Sequence, residues 1–178
     1  MSDLGTTTLV ITLILAIYSV MASLTGSLYK IPQLTKSGFH ATYLTPLILA
    51  ISTSSLVAAF VTNDFSIRYV AEHSSTSMDK QYIWVAFYAG NEGSLLFIAL
   101  ALSVLSAISI FSSPRQIQKS LPHINSVLMI ILIFFVGVMI ILANPFSVLE
   151  FIPGNGKGIN PLLTHPGMFI HPPILMTG

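Results

Sequence analysis

Four stretches without charge limit what this chain can become. No Asp, Glu, Lys or Arg occurs between Asp3 and Lys30, between Lys36 and Asp64, between Glu92 and Arg115, or between Lys119 and Glu150. About 20 mainly apolar residues suffice to cross the hydrocarbon core of a bilayer. Lipid offers no partner to a backbone N–H or C=O, so such runs must be helical. The expected spans are residues 6–28, 42–61, 93–111 and 124–143, with a fifth begun at 169–178 and unfinished. Pro46 is expected in the first turns of its span, where a missing N–H does little harm. Residues 1–178 therefore read as a single all-α integral membrane domain, with short helices in its loops. Composition agrees: 53% of residues are hydrophobic and 7% charged, against about 25% charged in a soluble domain. The first run is too long for the core of a cleaved signal peptide and is expected to be retained.

Orientation follows from Lys and Arg in the loops. Lys30 and Lys36 follow the first run, and Arg115 and Lys119 follow the third, with no acid beside them. Short loops rich in Lys and Arg stay cytoplasmic. The N-terminus and the two long loops, 64–92 and 144–170, then face outward. Phe65, Ile67 and Tyr69 alternate with Ser66 and Arg68, which suits a short extended segment. The aromatic stretch 81–89 suits a short helix lying in the interface.

Few side chains here can do chemistry. No expected span has an ionisable residue in its core, which disfavours a pump or channel built from this part alone. The seven basic residues are scattered and make no nucleic-acid patch. There is no Cys, hence no disulfide, thiolate nucleophile or thiolate-bound metal. The glycine cluster 154–158 lacks the Lys-Ser/Thr that would make it a phosphate loop. No set of catalytic side chains can be assembled. His40, His73 and His123 lie in or beside loops and read as solvated.

His171 differs. It stands between an apolar stretch and Pro172-Pro173, a pair suited to the first turn of a helix. On the residues alone it is either a helix-capping interface histidine or an axial ligand to haem iron. His165, six residues earlier, either supports the same site or is merely exposed. Glu92 opens the third run, where a carboxylate complements the positive helix end. No metal other than haem iron is expected, because carboxylates and thiolates do not cluster.

Three stretches, taken in order and spacing, carry a resemblance. They are Asp64-Phe65-Ser66-Ile67-Arg68-Tyr69-Val70-Ala71, Asn91-Glu92-Gly93-Ser94-Leu95-Leu96, and Asn160-Pro161-Leu162-Leu163 through His171-Pro172-Pro173. Together they resemble the N-terminal part of the CcmF-type cytochrome c haem lyases. The resemblance covers most of residues 64–178; the first two spans agree in hydrophobicity and position. It implies a multispan protein of the bacterial inner membrane that takes haem from a haem chaperone at the periplasmic face. The haem is then joined by thioether bonds to the Cys-x-x-Cys-His motif of an apocytochrome c, whose thiols a separate factor keeps reduced. The resemblance implies His171 as a haem ligand and Glu92 as a weaker candidate; His165 is a weak candidate by its position alone. It also implies haem b, bound with downstream parts of the full protein. The chain departs from the family at Tyr88-Ala89-Gly90-Asn91, where Trp-Gly-x-His is common. The family's Trp-rich segment, its second outer histidine and its two membrane histidines are not in this sequence. The chain is thus expected to be an N-terminal fragment, or one piece of a split protein that needs its other half. A transporter half or a structural subunit of a membrane complex is the alternative.

Overall fold

The computed structural model describes residues 1–177. Gly178, the last residue of the expected fifth segment, lies outside the described residues. Four long helices form the body: α1 (Ser2–Leu28), α2 (Pro32–Val61), α5 (Asn91–Phe111) and α6 (Leu121–Ile141). All four are long and apolar enough to cross a membrane. Three short helices accompany them: α3 (Arg68–His73), α4 (Ile83–Phe87) and α7 (His171–Thr177). Among the described residues there is no strand, only an isolated antiparallel bridge between Ile67 and Val148. The expected all-α membrane class is the one observed.

Small residues set the packing of α1 on α2. The buried stripe of α1 includes Thr8, Thr12, Ala16, Ser19, Ala22 and Ser23, and that of α2 includes Gly38, Ala41, Thr42 and Thr45. Where lipid is as apolar as the helices, association rests on close backbone approach and interhelical hydrogen bonds. Gly38 permits such an approach: a Cβ there would lie 3.0 Å from the Ser23 backbone nitrogen. Leu47, Met21, Ile108 and Phe134 remain on the outside, as apolar side chains turned to lipid would.

Asn125 of α6 ties three helices together. It is fully buried. Its amide donates to Ser19 Oγ and Ser23 Oγ, both at 2.9 Å, and its Oδ1 accepts from Thr42 Oγ1 at 2.7 Å. Ser19 also donates to the Gly38 carbonyl at 2.9 Å. The network is satisfied, as a buried polar group in an apolar surround must be.

The second helix corrects one expectation. It begins at Pro32, ten residues before the apolar core read from the sequence, so Pro46 lies mid-helix and not in the first turns. Pro46 offers no N–H to the Thr42 carbonyl four residues back. The Thr45 hydroxyl donates to that carbonyl instead, at 2.9 Å, and the helix continues.

Candidate functional site

At the end of the bundle where α2 and α6 finish and α5 begins, the two long loops fold onto each other. Arg68 N–H donates to the Ser147 carbonyl and Leu149 N–H to the Ser66 carbonyl, both at 2.8 Å. Lys157 N–H donates to the Ala71 carbonyl at 2.8 Å, and Asn155 Oδ1 accepts the Thr76 N–H at 2.9 Å. The period-2 segment is not extended as expected: residues 64–67 form a turn in which Ile67 N–H donates to the Asp64 carbonyl at 3.1 Å, and α3 follows at Arg68. Phe65, Ile67 and Tyr69 are nevertheless all buried. The change from turn to helix at Arg68 leaves Tyr69 facing inward.

Tyr69 joins the first motif stretch to the second. Its ring is 2% exposed and meets Phe60 edge-on at 5.7 Å. Its hydroxyl donates to the Phe87 carbonyl at 2.9 Å and accepts the Gly90 N–H at 3.0 Å. Burial pushes the phenol well above its ordinary pKa. The Gly90 N–H opposes that shift, and the nearby Glu92 charge adds to it. Gly93 makes the arrangement possible, because a Cβ there would overlap the Phe87 carbonyl oxygen and crowd the Tyr69 hydroxyl. Ser94 Oγ donates to the Tyr88 carbonyl at 2.8 Å. Gly93 and Ser94 thus seat the α4–α5 turn.

The aromatic residues of α4 and its end join the second stretch to the third. Trp84 Nε1 donates to the Phe169 carbonyl at 3.3 Å, and the Tyr88 hydroxyl donates to the Met168 carbonyl. Tyr82 and Phe169 pack with ring centroids 5.8 Å apart. The expected short helix in 81–89 is present as α4 after one 3₁₀ turn at Lys80–Tyr82. Three stretches far apart in sequence therefore form one connected layer.

The candidate residues occupy different parts of it. His171 is the first residue of α7, with an exposed ring. Pro172 and Pro173 fill the first turn, and Ile174 N–H donates to the Ile170 carbonyl at 3.2 Å. His165 is exposed too, but its Nδ1 accepts the Gly167 N–H at 3.1 Å and caps the 3₁₀ turn Pro166–Phe169. Glu92 is half-buried in the first turn of α5 and makes no side-chain hydrogen bond among the described residues. His40 and His123 are exposed, but both lie inside helices, α2 and α6, and not in loops.

His73 is half-buried and packed, where the sequence suggested a solvated side chain. Its ring stacks on Tyr69 with centroids 4.4 Å apart. Its Nδ1 lies 3.0 Å from the Tyr69 carbonyl, so Nδ1 carries the proton in that contact. Its Nε2 faces Gly90, where a Cβ would come within 2.8 Å. Its polar neighbours in sequence, Glu72 and Ser74 to Ser77, hid this packing. The one clue was its i+4 spacing from Tyr69 on a helix.

Among the described residues no three His, Asp or Glu side chains gather into a metal site. The exposed imidazoles of the loop layer are those of His165 and His171, donors of a kind that haem iron takes.

Four helices able to span a membrane, capped at one end by a layer built from two long loops, define a multi-pass membrane protein. The chain belongs to the CcmF/NrfE family of cytochrome c-type biogenesis proteins. It is 41% identical over 126 residues to the cytochrome c-type biogenesis protein CcmF of Pseudomonas fluorescens, covering 69% of this chain and 19% of that protein. It is 35% identical over 179 residues to CcmF of Pseudomonas aeruginosa, covering 99% and 27%. A probable NrfE of Escherichia coli is 34% identical over 132 residues, covering 74% and 24%. The chain spans about a fifth to a quarter of the length of these curated relatives. The solved structure of a cytochrome c haem lyase CcmF has the same fold, with a TM-score of 0.84 over 98% of this chain and 27% of that one at 22% identity. No family model matches the chain. The names of the relatives favour the cytochrome c biogenesis reading over a transporter half or a structural subunit.

Proposed function

We propose that this chain is the N-terminal part of a cytochrome c haem lyase and presents haem at the outer membrane face, with His171 as one axial ligand. The tethering of the chain next to His171 carries this reading. Trp84 and Tyr88 hold the main chain at Phe169 and Met168, so the exposed imidazole stands two residues beyond a fixed point. A ligand held this way loses little freedom when it binds. The haem presented at His171 supplies, when bound, the vinyl groups that become thioethers on the cysteines of apocytochrome c, whereas haem b is held by downstream parts of the full protein. This chain's part is to hold and orient the group. His165 supports the approach to α7 through its cap, and Glu92 adds negative charge near Tyr69. The second ligand comes from the rest of the protein or from a split partner. Haem arrives from a haem chaperone, and a thiol-reducing factor readies the apocytochrome. The distribution of Lys and Arg supports a loop layer on the periplasmic side of a bacterial inner membrane.

His171→Ala in the full-length protein tests this. Haem bound after incubation with the chaperone, read from the optical spectrum, is expected to fall at least about tenfold, along with cytochrome c maturation. Protein yield and thermal stability are expected to stay unchanged, because the ring is exposed. An unchanged haem spectrum together with unchanged maturation would rule His171 out as the ligand.

A further inference from the structure

The opposite end of the bundle holds a cavity of about 640 Å³ where α1 ends and α2 and α6 begin. Its walls include Lys30, Lys36 and Lys119 beside the apolar Pro32, Phe39 and Leu121. We propose that this cavity binds the phosphate headgroup of an anionic phospholipid from the surrounding membrane.

Four observations meet here. First, the charge is one-sided. All six acids lie in the loop layer or in the helix ends beneath it, and none lies in residues 29–36 or 112–120. Second, the three lysines are exposed, and none forms an ion pair among the described residues, where the ion pair is Lys157–Glu72. Third, α2 and α6 both start at the cavity, and neither start has a side-chain cap. Uncapped helix starts keep unsatisfied N–H groups and a partial positive charge, which adds to the lysines. Fourth, the apolar walls lie near the ends of helices long and apolar enough to cross a membrane, beside the charged lysines. A soluble phosphate would gain nothing from Phe39 and Leu121, whereas a phospholipid uses both kinds of wall. Basic pockets between helices on the lysine-rich side of a membrane protein suit such headgroups.

Native mass spectrometry of the full-length protein tests the site, with phosphatidylglycerol and phosphatidylcholine offered in equal amounts from mixed micelles. Retained adducts are expected to be mainly phosphatidylglycerol. Lys36→Gln and Lys119→Gln should each lower that preference about fivefold, the worth of one unit charge at an anionic surface. The exposed Lys157→Gln, at the other end, should leave it unchanged. Both cavity lysines are exposed, so folding is expected to persist, and the far-UV spectrum checks it. Equal retention of the two lipids by the natural protein would overturn the proposal. So would an undiminished preference in both Lys36→Gln and Lys119→Gln, or displacement of the lipid by millimolar inorganic phosphate.

Discussion

The Tyr69 phenol is enclosed by backbone groups, and this makes its ionisation costly. In the folded chain its pKa is raised, by burial first, while in the unfolded chain it titrates near about 10. Below that pH both states keep the proton and the stabilising effect is complete. Above it the unfolded chain releases the proton and the folded one does not, so stability falls as pH rises. Tyr69→Phe keeps the ring contact with Phe60 but leaves the Phe87 carbonyl and the Gly90 N–H without this partner. Melting in detergent at neutral pH is expected to show a loss of about 1–3 kcal/mol. The further loss between about pH 9 and pH 11 should be smaller in the variant than in the natural protein. Parallel losses would mean that Tyr69 does not carry the alkaline sensitivity.

Among the helices, the interhelical bonds of Asn125 are the feature most open to test. Such bonds are worth about 0.6 kcal/mol each in membranes, so Asn125→Leu should cost roughly 2 kcal/mol. The lipid-facing Val127→Leu should cost almost nothing by the same denaturation assay. Equal effects would show that the network is incidental. The long helices were legible because a run without charge has one solution in lipid. The start of α2 was not, since Gln33, Lys36 and His40 read as loop while Pro32 and the close approach at Gly38 favour a helix. The Asn125 network was equally hidden. Ser19, Ser23 and Thr42 count as mild interruptions in an apolar run, and only the packing brings them to one amide. Of the candidate site, the three stretches were legible and their connection was not. Tyr69, Trp84 and Tyr88 grip carbonyl groups, and a carbonyl leaves no mark on the sequence.

Over the whole molecule, charge and loops divide the two ends. The loop layer and the helix ends beneath it hold the acids, and the cavity end holds Lys30, Lys36, Arg115 and Lys119. The chain has no Cys, so single cysteines at the exposed positions Thr76 and Gln118 can report sidedness without competing thiols from this region. A membrane-impermeant maleimide added to whole spheroplasts is expected to label Thr76→Cys and to spare Gln118→Cys until the membrane is opened. Labelling of both, or of Gln118→Cys alone, would contradict the arrangement.

The bridge between Ile67 and Val148 also fixes an order of events during synthesis. The ribosome must make about eighty further residues before Ile67 can meet its partner, roughly 4–16 s at 5–20 residues per second. For most of that interval Ser66 and Arg68 have been made and their backbone partners at Leu149 and Ser147 have not. The layer next to His171 is therefore completed late, after α6 has been made, and the rate of translation through α5 and α6 sets how long the unfinished loop waits.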